Sequence, residues 1–133
     1  MRLEPSTKYD LPQLNSWIGA DDWHRGKDPE FWLTGAECLF AARVMDNKGA
    51  VAYLRVDEEN DDYRIHGQFA PEQEVSKMRT AKAIVDVINT MKQLAISNSR
   101  KYLIIQSTNA PLIAFLSRLE FKPYENDEYR WKA

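Results

Sequence analysis

Between Tyr102 and Phe121 the chain reads YLIIQSTNAPLIAFLSRLEF. An apolar strand runs into a polar turn ending at Asn109, then a short amphipathic helix, then a second apolar segment that opens at Phe121. Asn109 before Ala110-Pro111 is a helix N-cap: its side chain can accept a free first-turn N–H, and proline tolerates the first helical turn. A strand that feeds straight into a capped helix and returns to an apolar segment restricts this part of the chain to an α/β arrangement.

The segments before it extend that restriction. Cys38–Met45 is apolar and ends at Asp46-Asn47-Lys48-Gly49, a hairpin turn signal, so Ala50–Val56 pairs back onto it. Asp57–Asp62 (DEENDD) reads as a polar hairpin tip. Tyr63–Phe69 alternates, with Tyr63, Ile65, Gly67 and Phe69 on one face and His66 and Gln68 on the other. From about Lys77 to Ser97, Ile84, Val87, Ile88, Met91, Leu94 and Ala95 recur at helical spacing. The strand Tyr102–Gln106 follows. A helix between two strands is a crossover, so the strands flanking Lys77–Ser97 should lie side by side and parallel. The helix Pro111–Arg118 and a last strand near Tyr129–Trp131, paired with Phe121–Tyr124, complete the chain. Near the N-terminus, Arg2–Leu3 opens a short strand and Asp10 N-caps a helix through Trp17. Asp28-Pro29-Glu30 starts another helix, which carries Phe31, Trp32 and Leu33 inward.

This is one domain over residues 1–133, long enough to bury a core. With 18 basic and 20 acidic residues spread along the chain, the net charge of −2 argues against nucleic acid as a partner. No apolar run approaches the ~20 residues of a membrane span, and the first residues lack the apolar region of a signal peptide. The single cysteine, Cys38, fits a reducing compartment, so the expected location is the cytoplasm. Two histidines and one cysteine, widely scattered, make no metal site. DEENDD lacks the glycine and ligand spacing of a calcium loop.

The order β-α-α-β-β-β-α-β-α-β, with Leu103, Ile105, Asn109, Leu119 and Phe121 in place, resembles the GCN5-related N-acetyltransferases (GNAT). The resemblance covers nearly the whole chain in topology and Tyr63–Tyr124 in motif. It implies a three-layer α-β-α fold with a mixed, mainly antiparallel sheet. It also implies acetyl-CoA as co-substrate and an amine as acceptor. Two residues depart from the pattern: Leu116 stands where the family often has a tyrosine acid, and Glu120 where it has glycine.

The resemblance places the cofactor at Phe69 and Ala70, at the helix start Arg79-Thr80-Ala81-Lys82-Ala83, and at Asn109. A helix N-terminus offers free N–H groups and positive potential to phosphates. The plain alternative for Arg79–Ala83 is a basic first turn on an ordinary amphipathic helix, and for Asn109 a simple cap. Ala70–Ser76 is longer than the usual link. With Leu116 unable to donate a proton, Tyr124 or water is the candidate acid, and His66 the candidate base. The plain reading of His66 is a packed strand histidine. Trp17, Trp23 and Trp32 form one wall of an acceptor site, or are core residues. Two activities follow: an acyl-CoA-dependent N-acetyltransferase with an unspecified amine acceptor, or a catalytically inactive module of the same fold acting through protein contacts. A compact divergent form of this kind suits a phage or mobile-element gene.

Overall fold

The computed structural model describes residues 1–133. Seven strands form one sheet: β1 (Arg2–Pro5), β2 (Phe40–Asp46), β3 (Gly49–Glu59), β4 (Asp62–Phe69), β5 (Tyr102–Gln106), β6 (Lys122–Pro123) and β7 (Glu128–Lys132). Their spatial order is β1-β2-β3-β4-β5-β7-β6. Every neighbouring pair is antiparallel except β4 and β5, which are parallel, as the intervening helix requires. Three helices complete the fold: α1 (Leu11–Gly19), α2 (Lys77–Ser97) and α3 (Ala110–Arg118).

Strand alternation assigns the faces. Tyr63, Ile65, Gly67 and Phe69 face α2, whose C-cap Asn98 donates to the Tyr63 hydroxyl at 2.6 Å. Lys92 of α2 donates to the Leu119 carbonyl at the end of α3, so both helices lie on this side. α1 packs on the opposite face, where Trp17 meets Tyr53 at 5.4 Å between ring centroids. Ser76 caps α2 by accepting from the Arg79 amide, and Asn109 caps α3 by accepting from the Leu112 amide. Leu116 is fully buried and belongs to the same core cluster as Leu103, Phe121 and Met91.

Three local expectations are corrected. Asp10 does not cap α1 with its side chain. It closes a capping box with Thr7, accepting the Thr7 amide at 2.8 Å, and so starts a 3-10 turn ahead of α1. The helix expected at Asp28 is a single 3-10 turn, Pro29–Trp32. It stops because Leu33 is extended and the Thr34 amide and hydroxyl bond to the Ser6 and Ala41 carbonyls. The acidic tip is shorter than DEENDD: β3 runs on to Glu59. Asp57 is held by Arg55 and His66, and Glu59 by a two-pronged contact from Arg64.

Glu120 follows α3 with φ +74, a left-handed position. It lets the Phe121 amide bond back to the Leu116 carbonyl at 3.0 Å, closing the helix end. A side chain there costs about 1–2 kcal/mol of backbone strain, part of which glycine loses again through its freer unfolded chain. Glu120→Gly should therefore stabilise the protein by about 1 kcal/mol net, read from urea denaturation midpoints.

Candidate functional site

β4 and β5 are joined at two register positions only, Tyr63 with Leu103 and Arg64 with Ile104. Beyond them the strands part. From Ile65 to Phe69, β4 has β3 on one side and no strand on the other. The opening holds a cavity of about 610 Å3. Its walls come from β4 (Ile65, His66, Gly67, Phe69), the end of β5 (Gln106, Ser107), the first turns of α2 (Lys77, Thr80, Ala81) and α3 (Leu112, Phe115, Leu116). Gly67 has a packing reason: a Cβ there would meet the Phe69 ring at 3.3 Å.

On the α1 face, β4 presents His66 and Gln68. His66 Nε2 lies 2.9 Å from Asp57 Oδ2. A carboxylate only accepts, so Nε2 carries the proton and Nδ1 keeps the lone pair. Burial pushes the His66 pKa below its ordinary value, partly offset by Asp57. The imidazole stands edge-on to Phe31, 5.1 Å between centroids, while Arg55 stacks on Phe31 at 3.9 Å. Gln68, fully buried, donates to Asp21 and to the Trp17 and Phe69 carbonyls, tying β4 to the loop after α1.

No family model matches the sequence, and no curated protein sequence matches it. Solved structures do match the fold. An aminoglycoside acetyltransferase AAC(6')-Ib in complex with coenzyme A superposes with TM-score 0.69 at 14% identity, over 98% of this chain and 93% of the other. Tetrahymena GCN5 gives 0.64 at 10% identity, over 99% and 96%. The GNAT domain of S. lividans PAT gives 0.65 at 13% identity, over 99% and 90%. This chain has the GNAT fold.

In this GNAT-fold chain the cavity gathers some of the residues singled out from the sequence and not others. Phe69, Ala70, Thr80, Ala81, Ala83, Asn109 and His66 line it. Arg79 and Lys82 do not. The Arg79 guanidinium is committed to Asp46 at the β2–β3 turn by two 2.7 Å bonds, which hold the Asp46 carboxyl well below the usual range. Lys77, which the sequence reading did not use, is the α2 cation on the wall. Tyr124 lies elsewhere, in a separate hollow beside β6 and β7, with Arg130 stacked on its ring at 3.8 Å. Leu116 sits in the wall and offers no proton. Ser107, buried, is the hydroxyl the sequence reading missed: it lines the cavity and accepts the Asn109 amide at 3.0 Å. Its signal was an Ser-x-Asn turn directly after a strand. Asp21 and His24 also line the cavity. No group of three or more histidine, cysteine, aspartate or glutamate side chains is placed to hold a metal ion. No helix is long and apolar enough to cross a membrane.

His66 yields a pH prediction. Its folded pKa lies below the unfolded value, so the unfolded chain takes up the proton first as pH falls. The associated stability is intact above the ordinary value of 6.5 and is lost as pH drops from there towards the folded pKa. Urea midpoints between neutral pH and the onset of carboxylate titration should fall more steeply for the wild type than for His66→Gln. Parallel slopes would show that His66 is not buried in its neutral form.

Proposed function

We propose that this protein is an acyl-CoA-dependent N-acyltransferase that moves an acetyl group from acetyl-CoA to an amine. The observation that carries the reading is the opening between β4 and β5, set against the N-terminal turn of α2. The unpaired edge of β4 offers backbone N–H and C=O groups to a pantetheine amide chain. Such groups need a partner, and here a ligand can provide it. Ser76 satisfies the Arg79 amide. The Lys77 and Met78 amides ahead of it have no partner within the helix, and with the helix dipole they suit a pyrophosphate. Lys77 and Thr80 add a charge and a hydroxyl on the same wall. In this reading Phe69, Ala70, Thr80, Ala81, Ala83 and Asn109 serve the cofactor, and Lys77 takes the place assigned to Arg79.

The chemistry is attack of a neutral amine on the thioester carbonyl. His66, neutral and oriented by Asp57, accepts a proton from the attacking nitrogen through Nδ1. Unpaired β4 amides can hydrogen-bond the thioester oxygen as charge builds on it. The departing sulfur meets the Ser107 hydroxyl rather than a tyrosine, and its proton comes from the His66 imidazolium by way of water. A CoA thiolate is a good leaving group, so a strong acid at Leu116 is not required. Structural neighbours include an aminoglycoside acetyltransferase in complex with coenzyme A and kanamycin, which supports the cofactor and the amine class without naming the acceptor here.

The cofactor reading is tested by thermal unfolding with acetyl-CoA, CoA and ATP. At about 100 times the dissociation constant, acetyl-CoA and CoA should each add roughly 2.7 kcal/mol and raise the midpoint by several degrees, while ATP does not. Ala81→Glu, which sets a carboxylate against the phosphates, should weaken CoA at least about tenfold. Arg79→Met should leave the affinity unchanged, since Arg79 is held by Asp46 outside the cavity. No shift with any CoA species would favour the inactive module, working through protein contacts.

A further inference from the structure

The chain has two histidines, and both line the one cavity between β4 and β5. They come from distant parts of the sequence, His24 from the loop after α1 and His66 from β4. Each is fixed by an aspartate. His24 Nδ1 lies 3.1 Å from Asp21 Oδ2, and His66 Nε2 lies 2.9 Å from Asp57 Oδ2. A carboxylate only accepts, so Asp21 is the acceptor and Nδ1 the donor, and this bond holds the Asp21 carboxyl below the usual range. The two imidazoles therefore take opposite tautomers: His24 keeps its lone pair on Nε2, His66 on Nδ1. Neither lone-pair nitrogen has a partner in the chain, and neither is sealed from solvent. Both rings stand edge-on to Trp32, at 5.3 and 6.5 Å between centroids.

We infer that His24 is a second base of this site, one that frees the lone pair of the acceptor nitrogen before His66 acts. The inference rests on the acyl-transfer reading. Two protons must leave an ammonium nitrogen during transfer. The first leaves before attack and frees the lone pair; His24 Nε2 takes it and passes it to solvent. The nitrogen then forms its bond to the carbonyl carbon, and the carbon–sulfur bond breaks with its electron pair on sulfur. The second proton leaves the nitrogen to His66 Nδ1 and ends on the thiol. Trp23, 44% exposed and on the cavity wall beside His24, offers an aromatic face to the arriving cation. Asp21 is already engaged three times: Oδ1 accepts the Trp23 amide, and Oδ2 accepts His24 and Gln68. Its task is to orient His24. Asp21 is also the only ion-pair partner of His24.

An arylamine is already neutral at pH 7 and needs only the second transfer, and this separates the two histidines. Acetyl transfer from acetyl-CoA is followed with butylamine and with p-anisidine, for the wild type, His24→Gln and His66→Gln. His24→Gln should lower kcat/KM for butylamine roughly a hundredfold and for p-anisidine by less than about twofold; His66→Gln should lower both. Equal losses for the two amines in His24→Gln would mean that His24 is only structural, and would overturn the proposal. Transfer to neither amine by a wild type that binds CoA would overturn the two-base assignment and leave the cofactor reading standing. Failure to bind CoA would remove both. Imidazole 15N NMR gives a readout free of activity. The spectrum has two spin systems, expected as an Nδ1–H tautomer for His24 and an Nε2–H tautomer for His66, and butylamine should shift the His24 signal. Matching tautomers, or an unmoved His24 signal, would also overturn the assignment.

Discussion

The site depends on two strands that meet at one end and part at the other. Parting is tolerable because each strand is held from its far side. β4 pairs with β3 along all eight of its residues, and β5 pairs with β7 along all five. Only the facing edges lose their ladder. The joined end is reinforced where the Tyr102 amide bonds to Asp62 and the Lys101 amide to the Asp61 carbonyl. At the open end, the Ala70 amide bonds to the Val51 carbonyl, and Gln68 ties the strand to Asp21 and Trp17. β4 is thus drawn towards β3 and the α1 side, away from β5. Unpaired backbone on a sheet edge is costly if buried dry. An opening that is kept, and lined on both walls, is a place for a ligand that brings amides of its own.

Charge pairing does the corresponding work on the α1 face. Arg55 donates to Asp57 and also to the Phe31 and Glu37 carbonyls, fastening an irregular loop to the sheet. Arg64 joins Glu59 to Glu128 on β7, across the closed end of the strands. These arginines are largely covered, so their contacts are worth more than surface pairs, and removing one partner would strand a charge. Their structural product is the placement of Asp57 and Phe31 around His66. A second network, Tyr53 donating to Asp10 with Arg43 beside it, anchors the turn that starts α1. Its effect on the site is indirect: it sets α1, and hence where the Asp21–His24 loop begins.

Periodic segments were readable from residue order alone. The extent of α2 follows from apolar spacing sustained from Ile84 to Ala95, and the structure adds Ser76 as its cap. The parallel pairing of β4 and β5 follows from the crossover. What failed was local competition decided by distant partners. Asp10 has the chemistry of an N-cap, yet it serves Thr7, Tyr53 and Arg43 instead. Asp57 looks like part of a solvated tip, yet Arg55 and His66 draw it into a strand. Arg79 sits at the right helical turn for a phosphate, yet Asp46, 33 residues earlier, claims it. Each of these is a charged side chain with a partner on another element: Tyr53 for Asp10, His66 for Asp57, Asp46 for Arg79. A sequence shows the charge and hides the partner. The pairing of His24 with Asp21 is local and was legible in principle. What was not legible is that the loop would bring it to the same cavity as His66.

In the acyl-transfer reading, the distribution of polar groups around the cavity bears on where catalytic effort would fall. The α3 wall, where the sulfur would leave, is apolar: Leu112, Phe115 and Leu116, with Ser107 as the nearby hydroxyl. The α1 wall, where the amine would arrive, holds Asp21, His24 and His66. The asymmetry matches the difficulty of the two proton movements. A thiolate is stable enough in water to leave without a strong acid. An alkylammonium is unreactive until it loses a proton, and near neutral pH most of it has not. Imidazoles titrate where such a proton can be taken up. Leu116 in place of a hydroxyl-bearing residue is then compatible with turnover, because the step it would assist is the easier one.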